Sequence, residues 1–253
     1  MIRSFQKGFA VFLICLLSSS ALAQAAPPKA KTPQGVTAPV KATIHDTAVP
    51  DLLRETQVSI GEKGYAGLVW WVPFEFWLQS AEARGVSREK TAENLKALKD
   101  YTVVGMFLAS VTDFGAFHYV TPLELRQKVT LRDSAGNEYK PIDNPAEDAK
   151  TLAAVMKPAL TNAMGPAGEN FEMMFFPARA KNGEPIADAT AKGMFAVVLR
   201  DPPDLPEIVY QWRLPLTSVS PPKYCPVGKE RVQANWDYCP WHGVSLNPAK
   251  KNP

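Results

Sequence analysis

The chain has 253 residues, 46% of them hydrophobic, with 28 basic and 25 acidic side chains for a net charge of +3. That apolar fraction excludes wholesale disorder, and a nearly neutral chain offers no electrostatic footprint for nucleic acid. About 200 residues remain beyond the two N-terminal segments described next, enough for one well-cored domain.

MIRSFQKG carries two positive charges and no acid, FAVFLICLLSS is a short apolar run, and Ala21-Leu22-Ala23 places small residues before Gln24. This pattern predicts a secretory signal peptide over residues 1 to 23. The run is shorter than the roughly 20 residues that span a bilayer, and Trp70 to Leu78 is broken by Pro73 and Glu75, so no membrane span is expected in the mature chain. The expectation is an exported protein, periplasmic or secreted. Loss of Arg3 and Lys7 lowers the net charge by two, from +3 to +1. Cys15 leaves with the leader, so Cys225 and Cys239 are the thiols of the mature chain, in a compartment where paired cysteines oxidise.

Residues 24 to 57 open with five prolines by position 50 and almost no large apolar side chain, which predicts a disordered Pro/Ala/Lys-rich linker that contains His45. A folded domain is expected over residues 58 to 219. YAGLVWWV reads as a buried strand ended by Pro73. Phe74, Trp77, Leu78 and Ala81 then recur at helical spacing up to Gly85, and Ser87 offers an N-cap to a second short helix with Ala92, Leu95 and Leu98 on its apolar stripe. YTVVGMFLASV and the imperfectly alternating LELRQKVTL read as strands, and LRDSAGNEYKPI as a hairpin turning at Gly136. Asn144, Pro145 and Glu147 predict a helix start, with the helix disturbed at Pro158 and finished by Gly165. NFEMMFF, GMFAVVL and IVYQWRLPL complete the strands, with a turn at Lys181 to Gly183.

Seven or eight short strands with helices in two isolated places exclude a doubly wound parallel fold. The expected class is mainly β, or α+β: an antiparallel sandwich with inserted helices and a short cysteine-containing C-terminal hairpin. Over about residues 100 to 216, in phrases such as LRDSAGNEYKPI, the pattern resembles the immunoglobulin-like modules of exported bacterial proteins.

The cluster WWVPFEFW concentrates aromatics. Trp70, Trp71 and Trp77 are candidates for contact with a ligand or partner, although the helical spacing of Phe74 and Trp77 also suits a core. Catalytic signatures are missing from the sequence: there is no G-x-S-x-G, H-E-x-x-H, Walker loop or dinucleotide fingerprint, and His118 stands in no nucleophile motif. An enzyme is not the expectation.

Residues 220 to 253 form a tail containing Cys225-Pro-Val-Gly-Lys and Cys239-Pro-Trp-His-Gly. These resemble the paired knuckles of zinc ribbons, which repeat Cys-Pro-x-Cys-Gly on two hairpins. Gly228 stands where the first knuckle's second ligand belongs, and His242 replaces the fourth cysteine. Two readings follow. Cys225 and Cys239 join as a disulfide, with no cofactor, closing a loop worth about 3 kcal/mol. Alternatively Cys225, Cys239 and His242 bind zinc, with water or an acid such as Glu230 as fourth ligand. The disulfide is the default expectation in an oxidising compartment.

These residues together predict an exported, non-enzymatic binding or accessory protein of the cell envelope whose partner is an envelope protein or a small ligand. The alternatives are a zinc-binding protein using the tail, and an envelope hydrolase or carbohydrate-binding protein using the tryptophans.

Overall fold

The computed structural model describes residues 45–62, 64–200 and 207–247. The expected signal peptide, and residues 24 to 44 of the expected linker, lie outside the described residues. Residues 45 to 56 do not continue a linker: they form helix α1 (His45–Thr56), in which Leu52 and Thr56 are fully buried and Val49 and Leu53 pack on the core. Val49, Leu52, Leu53 and Thr56 follow the i, i+3, i+4, i+7 spacing of an amphipathic helix, a stripe obscured by the neighbouring prolines.

Two antiparallel sheets follow. The first contains β1 (Gln57–Glu62), β2 (Tyr65–Val72), β3 (Tyr101–Val111), β4 (Phe117–Tyr119) and β7 (Glu172–Pro177). Strand β2 pairs along one edge of β3, while β4 and β7 divide the other, β4 against Ala109 to Val111 and β7 against Tyr101 to Met106. The second sheet runs β6 (Glu138–Tyr139), β5 (Val129–Arg132), β8 (Gly193–Leu199) and β9 (Ile208–Leu214). The architecture is therefore α+β. Its chain order is not the immunoglobulin one, which divides seven strands into ABED and CFG sheets; here β1 to β4 lie side by side in one sheet in chain order.

Between β2 and β3 lie helix α2 (Phe74–Glu82), helix α3 (Arg88–Asn94) and a 3-10 turn (Lys96–Asp100). Ser87 caps α3 by accepting from the Lys90 N–H at 3.1 Å, as its sequence position predicts. Successive residues of a strand point to opposite faces. Trp71 accordingly meets Phe195 and Trp212 of the second sheet, at 4.8 and 6.3 Å between ring centres, while Trp70 meets Phe76 of α2 at 5.0 Å. Sheet one is thus sandwiched between helix and sheet, which explains why β2 and β3 carry apolar residues on both faces.

Residues 122 to 128 depart from expectation. They form helix α4 (Pro122–Lys128), and only Val129–Arg132 continue as β5. Thr121 and Glu124 make a reciprocal capping box with Pro122 in the first turn, and that local chemistry outweighs the weak alternation of LELRQ. Helix α5 (Glu147–Met164) accommodates Pro158 and stops at Gly165, and the four-residue α6 (Pro166–Glu169) leads into β7. No helix among the described residues is long and apolar enough to cross a membrane.

The tail is a separate unit of packing. Strands β10 (Lys223–Tyr224) and β11 (Arg231–Val232) pair as a short hairpin, and Cys225, Val232, Cys239 and Leu246 make a small cluster distinct from the main core. It docks on the body by polar contacts: the Ala234 N–H donates to Thr217 Oγ1 at 3.1 Å, Asn235 Nδ2 to the Arg213 carbonyl at 3.0 Å, and Lys192 Nζ meets Asp237 at 2.9 Å.

Candidate metal centre

Two six-residue turns with the same backbone build the site. In the first, the Lys229 N–H donates to the Cys225 carbonyl (3.0 Å) and the Cys225 N–H to the Glu230 carbonyl (3.0 Å); in the second, Gly243 donates to Cys239 (2.8 Å) and Cys239 to Val244 (2.9 Å). The fifth residue of each turn is left-handed: Lys229 at φ 61° and Gly243 at φ 64°. Lys229 is the one non-glycine residue with positive φ among the described residues, and it occupies the place that a zinc ribbon gives to glycine. The knuckle resemblance seen in the sequence therefore extends to the backbone of both turns.

Four side chains converge between the turns. The Sγ atoms of Cys225 and Cys239 each lie 3.4 Å from Nδ1 of His242, and Oε1 of Glu230 lies 3.2 Å from that nitrogen and 3.3 Å from Cys239 Sγ. All four atoms fall within 4.8 Å of one another, the one such group of three or more ligating residues among the described residues. Neutral imidazole Nδ1 has either one proton or one lone pair, so three directed hydrogen bonds from it are impossible. Tetrahedral zinc, with bonds of about 2.3 Å to sulfur and 2.0 to 2.2 Å to nitrogen or oxygen, has ligand–ligand edges of about 3.3 to 3.8 Å. The separations around Nδ1 match those edges.

Cys225 and Cys239 are buried and not bonded to each other. Their sulfurs face a shared point with His242 and Glu230. Burial pushes the Cys239 thiol up, while the backbone N–H groups of His242 and Trp241 point at its sulfur and pull the other way. Such N–H groups are ready partners for a metal-bound thiolate. Glu230 is held below the usual carboxylate range, first by its own backbone N–H and then by the two cysteines and His242, with burial opposing.

Gly228 has a role the sequence concealed. A Cβ at this position would run into Glu230 Oε2 and lie 2.6 Å from Cε1 of His242. The Glu230 carboxylate therefore fills the space that the missing fourth ligand's side chain would occupy, and it enters from two residues further along. Sequence spacing shows the loss of a ligand at 228 and offers water or Glu230 in its place; the fold brings the Glu230 carboxylate to that space.

The other candidates are placed elsewhere. Trp70, Trp71 and Trp77 are 4%, 1% and 1% exposed, so their rings fill the space between layers and cannot stack on a ligand at the surface. His118 lies on β4, exposed, opposite Ser110. Met173 and Met174 are core residues of β7. The molecule is thus defined as an α+β body carrying a double-knuckle tail in which two cysteines, a histidine and a glutamate form one cluster. Comparison with protein-family models, curated proteins and solved structures finds no match to the chain.

Proposed function

We propose that the chain is an exported, non-enzymatic binding or accessory protein of the cell envelope whose tail is closed by one structural zinc ion bound to Cys225, Glu230, Cys239 and His242. The convergence of two sulfurs and a carboxylate oxygen on His242 Nδ1 carries this reading. Two sulfurs, one imidazole and one carboxylate suit zinc, and four protein ligands leave no open position for substrate, which supports a structural role over a catalytic one. Zinc also supplies what the tail lacks, since a cluster of four buried residues is too small to hold its fold unaided. Metal-bound thiolates resist pairing into a disulfide, which reconciles two reduced cysteines with an oxidising compartment. The two-sheet body serves as the platform for a partner.

Native and denaturing mass spectrometry of the full chain, purified from an oxidising compartment, tests the metal. One zinc retained in the native spectrum and two alkylatable thiols after denaturation are expected. A metal-free protein two hydrogens lighter than the reduced chain would replace the metal with a disulfide.

A further inference from the structure

Cys225 and Cys239 are the two free cysteines among the described residues, and both belong to the knuckle centre. They come from different turns, yet their Sγ atoms, like the other ligand atoms, lie within 4.8 Å of each other. A disulfide holds its sulfurs at about 2.05 Å, so no more than about 3 Å of closure separates the pair from a bond. The other two ligands, His242 and Glu230, carry no thiol, so a single two-electron step uses all the sulfur of the centre.

The sulfurs are buried, whereas the side chains of His242 and Glu230 are 35% and 31% exposed. Imidazole and carboxylate therefore form the outer wall of the centre, and an oxidant arriving from solvent meets them before either sulfur. Zinc would tie this wall to the sulfurs and occupy the thiolate lone pairs that attack a disulfide. Without the ion, the wall can swing outward and the same two sulfurs become a reactive pair.

We infer that the knuckle centre is a two-state switch, in which bound zinc and a Cys225–Cys239 disulfide exclude each other and the supply of zinc selects between them. The switch rests on the zinc reading given above. Its oxidant is a small disulfide, RSSR. In the metal-free centre one cysteine gives its thiol proton to solvent, and its thiolate attacks RSSR, breaking the S–S bond, forming a mixed disulfide and releasing RS⁻. The second cysteine, deprotonated in turn, attacks the protein sulfur of the mixed disulfide, forms the Cys225–Cys239 bond and expels a second RS⁻. Two electrons pass from the cysteine pair to RSSR, and the two released thiolates take up the two protons. A metal or a covalent bond thus joins the turns in either end state. The reduced, metal-free chain between them leaves the tail's small cluster without a closure.

Exposure of the reduced full chain to oxidised glutathione, with and without zinc, followed by alkylation and intact mass, tests this. Without zinc, both thiols should disappear, the mass should fall by two hydrogens, and two molecules of glutathione should be released per chain. With zinc at about a hundred times its dissociation constant, about 1% of chains are unmetallated, so thiol loss should slow at least about tenfold. The oxidised form should bind zinc only after reduction. Amides around β10 and β11 should be protected from exchange in the zinc and disulfide forms and unprotected in the reduced, metal-free one. Zinc uptake that does not slow oxidation, or metal-free chains that end as glutathione adducts or cross-linked dimers, would overturn the switch and leave the metal standing. A reduced chain that takes up no zinc would refute the metal reading, and the switch with it.

Discussion

Glu230 and Gly228 act as one unit. The carboxylate reaches His242 only because position 228 has no side chain, so Gly228→Ala should weaken metal binding about as much as Glu230→Gln does, by roughly tenfold or more on loss of one ligand. Competition against a chelating dye measures both. The double variant should be little worse than either single one, because both changes remove the same contact. The pairing also predicts a gain: Gly228→Cys combined with Glu230→Gln supplies a third thiolate at the place the sequence leaves blank, and should bind zinc more tightly than the unsubstituted chain. If Gly228→Ala leaves metal affinity untouched, Glu230 is not a ligand.

Local signals decide the elements where long-range pattern is weak. Thr121→Ala removes the hydroxyl that accepts from the Glu124 N–H, and should lower the denaturation midpoint by an amount worth about 1 kcal/mol while leaving the tail's metal affinity unchanged. The same residues show what could be read from sequence. The strands β2, β3, β7, β8 and β9, the Ser87 cap and the turn at Gly136 were legible because each rests on neighbours in the chain. Helix α4 was misread because LELRQ satisfies a strand's alternation loosely, and α1 because its apolar stripe follows a proline-rich run. The sheet order was not legible, since β2 meets β3 across two intervening helices and β7 returns to β3 from much further along the chain. At the site, Cys225, Cys239 and His242 stand out by motif, whereas the fit of Glu230 into the space above Gly228 exists only once both turns are folded.

Across the whole molecule, two separately packed units should respond separately to stress. Chelation should abolish amide-exchange protection around β10 and β11 and leave that of β3 and β8 intact, because the tail's cluster is distinct from the main core. Loss of protection throughout would mean that the tail organises the body. Acid should act on the body through Glu138, which accepts from Arg200 and Arg132 and is thereby held at about 2, against an ordinary value of 4.5. A depressed carboxyl stabilises the fold above its unfolded-state pKa and loses that contribution as pH falls, here between about 4.5 and 2. Because the side chain is 29% exposed, screening limits the effect to about 1 kcal/mol. Urea midpoints should therefore fall more steeply with acid for the unsubstituted chain than for Glu138→Gln, and parallel curves would remove Glu138 from the account.

The carboxylate of Glu55, at the end of α1, accepts from the N–H groups of Thr217 and Ser218 and from the Ser218 hydroxyl, while its carbonyl accepts from Trp212 Nε1. Thr217 also holds the knuckles through Ala234. A pulling force applied between α1 and the tail would thus meet this clasp before it reached either sheet. Its few hydrogen bonds would have to break before the load could peel β1 or β9 away, which makes Glu55→Gln the substitution that should most reduce the first rupture force in a single-molecule stretch.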